Sequence, residues 1–225
     1  MILQKRVNMK KTIKTVCCLL CVMCLLTVGG YGCGARQRTI IFREHLDDVV
    51  LKLDGEAIAL RETALYVAYQ ERSIQEQALL YDPKDPNAYW NTHMNGRFIR
   101  LWAREEAMNQ AIHDLILYQE ACEMGMELTQ EERDYARSKG EDFWSDMETY
   151  GQTQLGISKE EWLEDVQRMA IAQKYQELLA AMDAVPLEDY DTAGIAYEKM
   201  LEKHEYKIIT RVWEGITMGR VTYEY

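Results

Sequence analysis

The sequence predicts a mainly α protein: a multi-helix body with a small two-stranded β element formed by strands near its two ends. Three observations predict it. Proline occurs only 3 times and glycine 13 times in 225 residues, too sparse for a turn-rich β-fold. Apolar side chains, 48% of the chain, recur at three- and four-residue steps through most of residues 61–182. Two short β-branched runs, "VVLKL" and "YKIITRV", flank those helical stretches.

Taken in order, residues 1–32 read as a signal peptide. Lys5, Arg6, Lys10, Lys11 and Lys14 form a basic run, and the uncharged apolar segment "VCCLLCVMCLLTV" follows. That segment is short for a membrane span, which needs about 20 residues. Cys33, set between Gly32 and Gly34, resembles a bacterial lipoprotein cleavage site, although Gly30 stands where such sites usually carry leucine. The reading is an exported protein on the outer face of the cell membrane, anchored by lipid on Cys33, with residues 33–48 as the lipidated tether. Ordinary signal cleavage and an uncleaved anchor are the alternatives.

Export sets the charge and the cysteine chemistry. The signal carries 5 of the 26 basic side chains and none of the 37 acidic ones, so net charge falls from −11 to −16 beyond it. Such a surface repels nucleic acid and anionic headgroups, and no nucleic-acid partner is expected. Only Cys33 and Cys122 remain, which precludes a disulfide framework. Cys122 falls on an apolar helical face and reads as a small buried thiol.

Residues 49–225 form the predicted helical domain. "VVLKLDGEAIAL" reads as a strand, a tight Asp54-Gly55 turn and a return. A helix is predicted over 61–81. "DPKDPN" then breaks it. The next helix is predicted over 96–124, on the seven-residue spacing of Leu101, Met108, Leu115 and Cys122, with Gly125 at its C-cap. Thr129 with Glu132 forms a capping box, and the helix it opens continues through "EDFWSDMETY", bent or split at Gly140. Gly156, Ser158 and Glu161 repeat the stop-and-cap device before a helix reaching Met182. A last helix is predicted over 192–203, and "YKIITRV" reads as a closing strand whose partner is "VVLKL".

Chemistry-bearing motifs are few. His45, His93, His113 and His204 show no metal-ligand spacing, and no nucleotide-binding glycine loop or nucleophile elbow is present. The pairs Glu131-Glu132 and Glu160-Glu161 are explained by capping and a solvated helix face. No catalytic residue, metal or cofactor is predicted. Large side chains on the helices are the remaining feature: Tyr66, Tyr69, Phe98, Trp102, Met108, Trp162, Met169 and Tyr175. They are either plain core or the lining of an apolar groove for unfolded chains.

The order of parts resembles the N-terminal domain of the SurA-type and PrsA-type foldases. The matching residues are Asp54-Gly55, Leu115-Ile116, Glu120-Ala121, Gly125, and Thr129 with Glu132, in a stretch running from about 49 to 182. The resemblance implies an exported chaperone-like lipoprotein that holds non-native segments of secreted proteins without ATP. Catalytic members carry a parvulin peptidyl-prolyl isomerase domain, opened by a strand with a histidine. Here "YKIITRVW" has no histidine, and a domain of about a hundred residues does not follow. The isomerase is therefore not expected, with a truncated gene as the alternative. A helical lipoprotein serving one envelope or secretion partner, and a degenerate isomerase, are the competing functions.

Overall fold

A computed structural model describes residues 39–94 and 96–224. The signal segment and Cys33 lie outside the described residues. The described part is mainly helical, with a three-stranded antiparallel sheet and a separate two-residue hairpin.

Strand β1 (Val49–Leu53) turns through Asp54 and Gly55 into β2 (Glu56–Ala59). Both turn residues have positive φ, 50° and 88°, the geometry a two-residue hairpin demands and Asp-Gly supplies cheaply. β5 (Tyr206–Ile208) pairs with β1 in the register Leu51↔Ile208 and Leu53↔Tyr206. The predicted closing strand therefore forms. It joins a three-stranded sheet of order β2-β1-β5, where a two-stranded element was expected, because the return arm of the hairpin stays paired. The strand is also shorter than predicted: Thr210–Trp213 winds into a helical turn, α8.

Helix α1 (Ala64–Tyr81) leads to the short α2 (Pro86–Trp90), capped by the Asp85 side chain. The hairpin of β3 (His93–Met94) and β4 (Arg97–Phe98) follows. Helix α3 (Ile99–Glu123) is the long predicted helix, started three residues later. Its buried face differs from the one predicted. Ala103, Ala107, Ala111, Leu117 and Ala121 are buried, whereas Leu101 and Cys122 are exposed. The alanines let the neighbouring helices approach closely, and Met108, Ile112, Ile116 and Leu117 are buried with them, so the buried face is turned away from Leu101 and Cys122. The expectation of a buried Cys122 thiol is corrected accordingly.

Helix α4 (Gln130–Asp146) carries the predicted Thr129–Glu132 capping box, with Thr129 Oγ1 accepting from the Glu132 amide at 3.2 Å. It is not split at Gly140, through which the helix runs unbroken. The chain breaks later, at Met147–Glu148, before α5 (Thr149–Leu155). Gly140 instead marks a helix crossing: a Cβ there would meet Leu163 Cδ2 at 2.9 Å. Gly156 takes the left-handed C-cap, and Ser158 caps α6 (Lys159–Asp183). The linker holds a 3-10 turn, Leu187–Tyr190, before α7 (Ile195–Leu201), a helix shorter than predicted. One core of buried side chains runs through sheet and helices alike.

Candidate functional site

The predicted binding residues separate into two groups. Tyr66, Met108, Trp162 and Tyr175 are buried in the core. Trp162 is the centre of an aromatic cluster. Its ring lies 5.1 Å from Phe143, 5.7 Å from Trp144 and 6.1 Å from Tyr69, and its Nε1 donates to the Gly140 carbonyl at 3.0 Å. All four side chains belong to the one hydrophobic core. Tyr69, Trp102 and Met169 are half-buried, and Phe98 is exposed at 42%.

Phe98 belongs to a rim that the sequence reading did not assemble. Leu79, Leu80, Tyr81, Met94, Phe98 and Leu101 are all exposed, Leu80 at 87%. They fall within one stretch, from the last turn of α1 to the first turn of α3. Ring contacts order the stretch: Tyr81 lies 5.3 Å from Tyr89, and His93 lies 3.7 Å from Phe98. One of the six, Leu79, also lines a cleft of about 620 Å³. Ala68, Leu79, Phe143 and Met147 form its apolar lining, and Arg72, Glu76 and Asp146 its charged edge. Arg72 bonds Asp146 at 3.0 Å and lies 4.7 Å over the Phe143 ring, so this edge is fixed.

Thr222, Tyr223 and Glu224, at the end of the segment 214–224, also line the cleft, and a buried carboxylate holds that segment in place. Glu71 is wholly buried. Its Oε1 accepts from the Gly219 and Val221 amides at 2.6 and 3.1 Å. Its Oε2 accepts from the Thr222 amide and hydroxyl, both at 2.6 Å. Burial pushes the Glu71 carboxyl up and the four donors oppose it. Gly219 is packed so closely that a Cβ would stand 2.5 Å from the Trp90 ring. The sequence held one sign of this: Glu71 occupies the same helical register as Ala64, Val67, Ile74 and Ala78, all buried.

Two further ionic devices brace the fold. His204 Nδ1 lies 2.7 Å from Asp54 and its Nε2 lies 3.2 Å from Glu120, which ties the β-hairpin turn to α3. The His204 hydrogen bond holds the Asp54 carboxyl below its usual range. On α6, Asp165 is buried beside Arg168 at 2.5 Å. Burial pushes its carboxyl up to about 7, Arg168 opposes this, and Glu62, Glu161 and Glu164 add to it. A carboxyl raised on folding stabilises the protein below its unfolded value and loses that contribution as pH rises through the folded value. The wild type should therefore lose on the order of 2–4 kcal/mol, relative to Asp165→Asn, between about pH 4 and pH 8. Paired urea melts across that range check this. A constant difference between the two proteins would refute it.

Among the described residues, no group of three or more His, Cys, Asp or Glu side chains could hold a metal. No helix among them is long and apolar enough to cross a membrane. Comparison with protein-family models, with curated proteins and with solved structures finds no match.

Proposed function

We propose that the chain is an exported, chaperone-like lipoprotein that binds non-native apolar segments of secreted proteins, without ATP and without catalysis, and is held at the outer face of the membrane through Cys33. One observation carries the reading: the exposed apolar side chains of residues 79–101, of which Leu79 also lines the cleft on α1. Soluble proteins seldom gather exposed apolar side chains in this way unless they meet a partner. The rim offers separate large exposed side chains, with Leu79 at the groove, which suits an extended segment of variable sequence. The resemblance of the element order to SurA-type and PrsA-type domains supports the same reading.

The binding residues proposed are then Leu79, Leu80, Tyr81 and Phe98, with the cleft floor of Phe143 and Met147. Burying one such side chain against a client is worth about 1.5–3 kcal/mol. The double variant Leu80→Glu/Phe98→Glu should weaken client binding by at least about ten-fold and leave folding intact, because both positions are exposed. The test is suppression of aggregation of several unrelated refolding proteins by the chain from residue 34 onward. The wild type and a Tyr135→Glu control should suppress it, and the double variant should not. Wild-type failure on every client would sink general chaperoning and favour a single dedicated partner. Acceleration of a proline-limited peptide would show an isomerase.

A further inference from the structure

A second groove opens between α1, α3 and α6, with a volume of about 360 Å³. That volume is at the small end of ligand sites and fits one long side chain or a small molecule. Tyr66 and Tyr69 come from α1, Glu106, Ala107, Gln110 and Asp114 from α3, and Met169 and Gln173 from α6. The lining holds two carboxylates, two phenol rings, a thioether and several amides, but no lysine, arginine or histidine.

The carboxylates are not used up by the fold. Asp114 is 3% exposed. Its Oδ1 is engaged twice, with His113 Nδ1 at 2.7 Å and with the Gln110 amide at 2.8 Å. Its Oδ2 is buried with no hydrogen-bond partner, the single such side-chain atom among the described residues. The neighbouring Tyr66 hydroxyl feels the Asp114 charge and, weakly, a hydrogen bond to its carboxyl, but no bond of normal geometry reaches Oδ2. A buried carboxylate oxygen without a donor is costly to keep and calls for an occupant. Glu106, half-buried in the same lining, has no ion pair among the described residues; Arg97, whose charge it feels, bonds Glu105.

We infer that this groove is a binding site for an organic cation, an ammonium or guanidinium head on an unbranched aliphatic stem. The head meets Asp114 Oδ2 and Glu106 as a charge-assisted donor. The stem lies against Tyr69 and Met169, where the phenol faces favour a cation and the thioether adapts to the chain. The acidic protein surface draws cations toward it. The same chemistry comes from a lysine or arginine side chain of a bound client segment or from a free diamine. The first source rests on the client-binding reading above; the groove itself does not.

Methionine-methyl NMR on the full chain tests this, because Met169 reports the groove directly. The probes are N-acetyl-lysine methylamide, its uncharged isostere N-acetyl-norleucine methylamide, and putrescine. The lysine probe should move the Met169 methyl signal saturably, and the norleucine probe should not. Glu106→Gln, at a half-exposed position that leaves the core intact, should weaken the lysine probe about ten-fold. Putrescine binding more tightly than the lysine probe assigns the site to free amines, and the reverse assigns it to side chains; either supports a cation site. Equal response to the norleucine probe, or no movement of Met169 with any probe at about 10 mM, overturns the proposal. Aggregation suppression plays no part in this readout, so failure here is distinct from failure of the chaperone reading.

Discussion

Glu71→Ala should destabilise the protein by about 3–5 kcal/mol and release the segment 214–224 first. The substitution strips the acceptor from three buried amides and one hydroxyl at once. Glu71→Gln should fall between this variant and the wild type. Its amide oxygen can serve one side of the site, but its NH2 group faces a backbone N–H on the other, and two donors cannot pair. Removal of the charge relieves part of the burial cost that raises the Glu71 carboxyl, which is why the glutamine variant loses less. Urea unfolding measures the total. Hydrogen exchange at the Gly219, Val221 and Thr222 amides should accelerate before exchange in α3 or α6 does. An alanine variant as stable as the wild type would mean that water serves these donors equally well. The same segment supplies Thr222 and Tyr223 to the cleft that Leu79 lines, so the variants should also bind clients less tightly while still folded.

Trp162→Ala should cost about 3–5 kcal/mol, the range for deleting a large buried aromatic. Trp162 has no exposed surface, stacks near Tyr69 with an interplanar angle of 6°, and bonds Gly140 where α4 crosses α6. The informative companion is Trp162→Phe, which keeps a ring in the cluster. It should remain folded and suppress aggregation as the wild type does. A folded Trp162→Phe protein with impaired client binding would return this residue to the binding surface and contradict its assignment to the core.

Legibility from sequence followed the range of the interactions. Thr129 with Glu132, Ser158 with Glu161, and the Asp54-Gly55 turn are local devices, satisfied within four residues, and all formed as predicted. The pairing of β1 with β5 was also legible, because two β-branched runs needed partners. Helix α3 was found but its orientation was not. Apolar residues surround much of its circumference, so the heptad of Leu101, Met108, Leu115 and Cys122 competed with the alanine stripe that the neighbouring helices select. The break at Met147 carries no proline or glycine, and Gly140 looked like a break because its closeness to Leu163 is a tertiary fact.

The binding surface was the least legible part. Periodicity identifies which side chains are large and apolar, and the same pattern fits a core and a groove. It nominated Trp162 and Met108, which are buried, alongside Phe98, which is exposed. Leu79, Leu80 and Tyr81 were missed because they read as the fraying end of a helix. The Glu71 clasp joins residues about 150 positions apart and has no local signature beyond a charged residue in a buried register. The groove at Asp114 likewise draws on three helices distant in sequence.

Site-specific photo-crosslinking to an unfolded client tests the central claim most directly. A photoreactive residue is placed in turn at Leu80, Phe98, Tyr135 and Met182, all exposed apolar positions. Two lie on the rim and two lie outside it, so general stickiness is controlled within one experiment. The account predicts strong crosslinks from Leu80 and Phe98 and little from Tyr135 and Met182, with several unrelated clients. Equal crosslinking from all four positions, or none from the rim, would contradict it.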